Sequence, residues 1–162
     1  MFVFLRYFIL LILGVFSWIF YKLFFYLTVI PSYILISFVY DVSINGHMLN
    51  VAGIDIGIVE ACIAGSAYYL LLMLNLTTDI QLRKRIYSII FSLSFLLIVN
   101  IFRIFVFSIL LVRNFVYFDI LHSLFWHLMS ILLVVFIWFI TVWTFKINKI
   151  PVYSDLMFLF RN

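Results

Sequence analysis

Charge is scarce in this chain. Only 10% of its 162 residues are Asp, Glu, Lys or Arg, against about 25% in soluble domains. That scarcity, with 69% hydrophobic residues and a mean hydropathy of +1.33, excludes a water-soluble globule and a disordered chain. A single cysteine, Cys62, excludes an internal disulfide, and so a disulfide-stapled secreted module, and it leaves no CxxC pair. Two prolines and five glycines leave room for long uninterrupted helices. No Gly-rich phosphate loop, HExxH or paired-carboxylate metal site occurs, so neither cofactor nor metal is expected. What remains is an all-α integral membrane protein, a single domain over residues 1–162.

A membrane helix needs about 20 mostly apolar residues. Four stretches qualify, at about 6–29 (stopped near Pro31), 60–76, 86–111 and 120–145. The piece Ser32–Tyr40 is too short to cross and is expected to be interfacial or re-entrant. Basic residues set the orientation. Arg83, Lys84 and Arg85 lie between spans two and three, Lys146, Lys149 and Arg161 follow span four, and Arg6 precedes span one. Four spans place all of these, and both termini, on the cytoplasmic side of a multi-pass cell-membrane protein. The opposite side carries Asp41, Asp55, Glu60 and Asp119, with Arg113 as its one clear cation. The opening stretch lacks a small-x-small cleavage site and reads as an uncleaved anchor. Since Arg83–Arg85 is accounted for as a topology signal, no nucleic-acid partner is implied.

The first outer loop, residues 41–59, contains Asn45-Gly46 between β-prone apolar residues, the signature of a two-residue hairpin. A small extracytoplasmic β-hairpin is therefore expected before the second span. His47 at that turn is assigned no chemistry.

Three helices bring reactive groups to one depth. Cys62 lies at the outer start of span two. Span three starts on the cytoplasmic side, so Arg103 sits about 25 Å into a core of about 30 Å. Asn100 is one turn deeper on the same face, and His122 opens span four from the outside. Taken singly, Cys62 reads as a small hydrophobe, His122 as a satisfied interfacial polar group and Arg103 as a lipid-phosphate ligand. Together they suit cysteine acyl transfer. A thiol with pKa near ~8.5 is helped to ionise by a neighbouring cation and a helix amino end. His122 can move a proton near neutral pH. Arg103 can serve the thiolate or the oxyanion, and the sequence does not separate these roles. Asn100 can orient Arg103 or add a hydrogen bond.

With these residues in hand, the chain resembles the exosortase/archaeosortase family of membrane transpeptidases, and its small size resembles the minimal archaeal versions. The resemblance covers roughly residues 42–136. It is carried by a turn-rich outer segment leading into Glu60-Ala61-Cys62, with Gly65 and Ser66 beyond; by Asn100-x-x-Arg103; and by His122. It implies a catalytic set of Cys62, Arg103 and His122. It also implies cleavage of a C-terminal sorting signal through a Cys thioester, and transfer of the new C-terminus to a lipid amine. The implied partners are the C-terminal transmembrane tail of surface-protein substrates and a membrane lipid as acyl acceptor. The chain departs from the family in reading Cys62-Ile63-Ala64-Gly65 where Cys-Ser-Gly is common, and in having Trp126 where a glycine usually follows the histidine by a turn.

Other residues enter as supports or alternatives. His127, five residues beyond His122, is a second acid/base candidate, about 140° round the helix and ~7 Å deeper. Glu60 could pair with Arg103, although its charge would oppose a thiolate. Arg113 is a supporting cation or a headgroup contact. Ser66 and Tyr69 share the Cys62 face and either line a substrate groove or pack. The competing function is a non-enzymatic lipid-binding or assembly subunit, in which Arg103 and Arg113 hold headgroups and Cys62 is silent.

Overall fold

The computed structural model describes residues 3–16, 18–149 and 151. It is mostly helical, with one small antiparallel sheet. In chain order the elements are α1 (Val3–Val15), α2 (Trp18–Ser37), β1 (Val42–Asn45), β2 (Met48–Val51), β3 (Ile54–Gly57), α3 (Glu60–Ile63), α4 (Gly65–Thr77) and α5 (Leu82–Val112). They end with α6 (Phe118–Leu124), a π-helical turn (Phe125–Met129) and α7 (Ser130–Phe145). Two of the helices, α2 and α5, are long and apolar enough to cross a membrane, while α7 and most of α1 are shorter apolar helices.

The expected first span is divided differently. Its helix does not stop at Pro31 but runs through it to Ser37, and the interruption comes earlier, between Val15 and Trp18. Proline removes one backbone N–H, yet in apolar surroundings every other peptide group still needs a partner, which favours continuing the helix. One turn-closing contact lies beside the ring: the Ser32 hydroxyl donates to the Thr28 carbonyl at 2.7 Å. Most of the segment Ser32–Tyr40, expected to be interfacial or re-entrant, is therefore the carboxyl end of α2.

The expected hairpin is a three-stranded meander in the order β1-β2-β3. Asn45 pairs with Met48, so the first loop is Gly46-His47, one residue later than the Asn-Gly reading. Gly46, with φ +61°, occupies the first central position, where a tight hairpin calls for glycine. The second loop is Ala52-Gly53, both with positive φ, and the Gly53 N–H donates to Asn50 Oδ1 at 3.2 Å. Leu49 and Val51 of β2 are fully buried and join the helical core.

That core is built mainly on α2, α4, α5 and α7, and the Phe24 and Tyr68 rings stack in it at 3.6 Å. α5 buries Arg85, Ser88, Ser92, Leu96, Asn100, Ile104 and Ser108, a stripe with three- and four-residue spacing and mostly polar side chains. Its apolar residues Ile98 and Phe102 are 66% and 60% exposed. Small polar residues inward and large apolar ones outward is the arrangement of helices packed in lipid. Asn75 of α4 ties into the stripe: it donates to Leu71 O at 2.8 Å and Ser92 Oγ at 3.3 Å, and accepts from the Ser88 hydroxyl. At the carboxyl end of α4, Arg6 and Arg85 both donate to the Thr78 carbonyl, at 3.2 and 2.9 Å, and Lys149 pairs with Asp79. The Lys149 side chain, hydrogen-bonded to it, holds the Asp79 carboxyl below its ordinary value.

Candidate active site

The local geometry begins at Ala64. It adopts φ +58°, ψ +36°, the left-handed conformation, and separates α3 from α4. In an unbroken helix the Cys62 carbonyl would accept from the Ser66 N–H four residues on. Here it accepts instead from two side chains of α5: Asn100 Nδ2 at 2.8 Å and Arg103 Nη2 at 3.3 Å. Asn100 and Arg103 are three apart, on one face of α5, so a single carbonyl collects both. Asn100 is 2% exposed, so the donor side of this bond is withdrawn from solvent.

Above this joint lies a cavity of about 520 Å³. Cys62 of α3, Arg103 of α5 and His122 of α6 all line it, together with Ala64, Gly65, Ser66 and Ala67 around the start of α4. Cys62, Arg103 and His122 are each half-buried. The Arg103 guanidinium is close enough to the Cys62 thiol and the Tyr68 hydroxyl to interact electrostatically with both. The amino end of α4 has no side-chain cap, and the first N–H groups of a helix have no partner within it. A thiol, a cation and a helix amino end therefore share one enclosure.

His122 is held by rings. Phe118 stacks on it with planes 7° apart and centroids 5.6 Å apart, and Phe107 and Trp126 meet it edge-on at 5.5 and 6.0 Å. Trp126 thus forms part of the imidazole's enclosure and also lines the cavity. The π-helical turn immediately follows α6, and the Ser130 hydroxyl donates to the Phe125 carbonyl at 3.0 Å across it.

The remaining sequence candidates fall as follows. Ser66 lines the cavity, whereas Tyr69 donates its hydroxyl to the Leu10 carbonyl at 3.1 Å and packs against α1. Arg113 does not join the site. It caps the carboxyl end of α5 with its backbone, is exposed, and is absent from the cavity wall. Leu111, near the end of α5, still lines the cavity, whereas Arg113 two residues on does not. His47 is exposed and meets Phe25 edge-on at 4.9 Å. The side chains of Glu60 and His127 lie outside the described residues. Sequence reasoning missed Ser108 and Ser130, which also line the cavity, and Tyr68 beside Arg103. The Ser108 signal was its place on the four-residue repeat through Asn100 and Ile104.

No protein-family model, curated protein or solved structure matches the chain.

Proposed function

We propose that this protein is a membrane cysteine peptidase of the transpeptidase kind. In this reading it cleaves C-terminal sorting signals of exported surface proteins and passes the new C-terminus to a lipid amine, as the resemblance to exosortases and archaeosortases implies. The carrying observation is the convergence of Cys62, Arg103 and His122, from three separate elements, on one cavity. The membrane setting is supported by α2 and α5, each long and apolar enough to span, and by the polar-inward stripe of α5. We read four crossings, the first made by α1 and α2 together. Arg6, Arg85 and Lys149 gather near Thr78 and Asp79, at the far end of α4 from Cys62. By the excess of basic residues that end is cytoplasmic, and the cavity opens extracytoplasmically.

The chemistry follows from the groups in the cavity. His122 accepts the Cys62 thiol proton, and the sulfur attacks the carbonyl carbon of the scissile peptide bond. The carbonyl electron pair moves onto oxygen, beside the Arg103 guanidinium and the amino end of α4. A guanidinium carries five N–H donors in a fork, so one donor on the Cys62 carbonyl is compatible with another facing the oxyanion. Collapse re-forms the carbonyl and breaks the C–N bond, and His122 returns its proton to the departing amine. The resulting thioester is attacked by an acceptor amine or by water, whose proton restores the Cys62 thiol. Asn100 acts through position: it fixes the peptide group that carries the nucleophile.

The test is Cys62→Ala beside a co-expressed surface protein ending in a short motif, an apolar helix and a basic tail. Processing should be lost, and mild acid trapping of the wild-type protein should reveal a mass-shifted adduct on Cys62. Undiminished processing by the alanine variant would overturn the reading in favour of a lipid-binding subunit.

A further inference from the structure

We propose that the free edge of β3 is the docking rail for the substrate. An extended peptide segment next to the scissile bond adds as a fourth strand and is thereby fed to Cys62. The inference rests on the peptidase reading of the cavity and goes beyond it, because it states how the peptide is held. Among the described residues β3 pairs only with β2 in the sheet. The Ile58 N–H donates to the His47 carbonyl at 2.9 Å, and Met48 stands opposite Gly57. In an antiparallel ladder the bonded residues alternate, so Ile54, Ile56 and Ile58 address β2. Asp55 and Gly57 then direct their N–H and C=O groups to the free edge.

Several features leave that edge ready for a backbone. Gly57 is exposed, and a Cβ built on it would meet nothing within 4 Å. Glycine in a strand often marks the close approach of another chain. The devices that usually protect an edge, a lysine, a proline or an outward charge, are missing from β3. Its one charged side chain, Asp55, is drawn back across the sheet by Asn50 Nδ2 at 2.7 Å. The edge also runs straight into the reactive enclosure, since Ile56, Gly57 and Ile58 line the same cavity as Cys62. Donor and acceptor pairs repeat along it every two residues, about 6.8 Å. A peptide backbone carries groups at that repeat and a lipid chain does not, which selects a polypeptide occupant. Strand addition supplies affinity through the main chain and leaves alternate side chains to be read.

The test uses full-length protein in lipid nanodiscs and a pool of N-acetyl hexapeptides with randomised side chains, each ending in a chloromethyl ketone. The thiolate displaces chloride, and the rate of Cys62 labelling is divided by the rate with iodoacetamide in the same sample. Pairing predicts that N-methylation of alternate residues in one phase lowers this ratio roughly tenfold, while the other phase leaves it nearly unchanged. Gly57→Pro, which deletes an outward N–H that the ladder does not use, should lower the ratio similarly. Equal sensitivity of both phases, or an unaltered ratio in Gly57→Pro, would overturn the docking rail. Either result would leave the peptidase reading standing, because that reading fails only if Cys62→Ala still processes the tailed substrate.

Discussion

The joint at Ala64 gives the most discriminating prediction. Its φ of +58° and ψ of +36° are left-handed, and for a residue with a Cβ that conformation costs about 1–2 kcal/mol. Ala64→Gly removes the clash but adds freedom to the unfolded chain worth about 0.5–1 kcal/mol. The net expectation runs from no change to a stabilisation of about 1.5 kcal/mol, or up to about 3–6 °C in Tm for a chain of this size. Ala64→Val should move the other way, because a β-branched residue tolerates the left-handed region poorly. The neighbouring glycine is the control. Gly65 does not have positive φ, and a Cβ there would meet Tyr21 N at 3.8 Å and Phe20 Cβ at 4.0 Å, ordinary contact distances. Gly65→Ala should therefore be tolerated, although in the sequence Gly65 looks like the special residue. The assay is thermal unfolding in detergent, followed by helical circular dichroism. If Ala64→Gly were destabilising by more than about 1 kcal/mol, or if Gly65→Ala were the damaging change, α3 and α4 would not be joined as described. The Cys62 carbonyl would then have no reason to turn to α5.

Two further outcomes follow from the same framework. Asn100→Leu removes the 2.8 Å donor to the Cys62 carbonyl; it should destabilise by about 1–3 kcal/mol and slow substrate processing roughly a hundredfold, read by unfolding and by processed fraction. An Asn100→Leu protein that processes normally would remove its positioning role. Because the Lys149 side chain holds the Asp79 carboxyl below its ordinary 3.8, the pair's contribution is fully present above that pH and is lost as pH falls through the lowered value. Both groups are about half exposed, at 53% and 50%, so the contribution is at most about 1 kcal/mol. Lys149→Ala should fall below wild type at pH 6, and the gap should narrow as the pH is lowered beneath 3.8, as compared by Tm.

Residues carry different amounts of this architecture on their face. Apolar runs mark where helices form because in lipid a run of side chains and a hydrogen-bonded backbone demand the same thing. The order of Cys62, Asn100-x-x-Arg103 and His122 is legible because helical rise converts sequence distance into depth. Breaks are less so. Pro31 is a strong local stop signal overridden by its surroundings, while the real joint at Ala64 has no local signal, because alanine ordinarily favours helix. β3 was hidden in Ile54-Asp55-Ile56-Gly57, four residues whose strand character depends on a partner already in place. The alternation of serines with Asn100 along α5 was present in the sequence, but its meaning depends on knowing that the helix turns its polar side inward. The wide turn at Phe125–Met129 leaves no compositional trace.

That wide turn has a consequence for the histidine. A π-helical turn takes one residue more than α-geometry would use, so the chain from Phe125 to Met129 amounts to a one-residue insertion that the helix absorbed. Excising a single residue there would let ordinary helix close up. It would also turn the preceding segment by about 100° about its axis, moving His122 off the Phe107 ring and out of its place in the cavity wall. The phase of the last helix, and with it the placement of His122, is thus set by a surplus residue rather than by the identity of any one side chain.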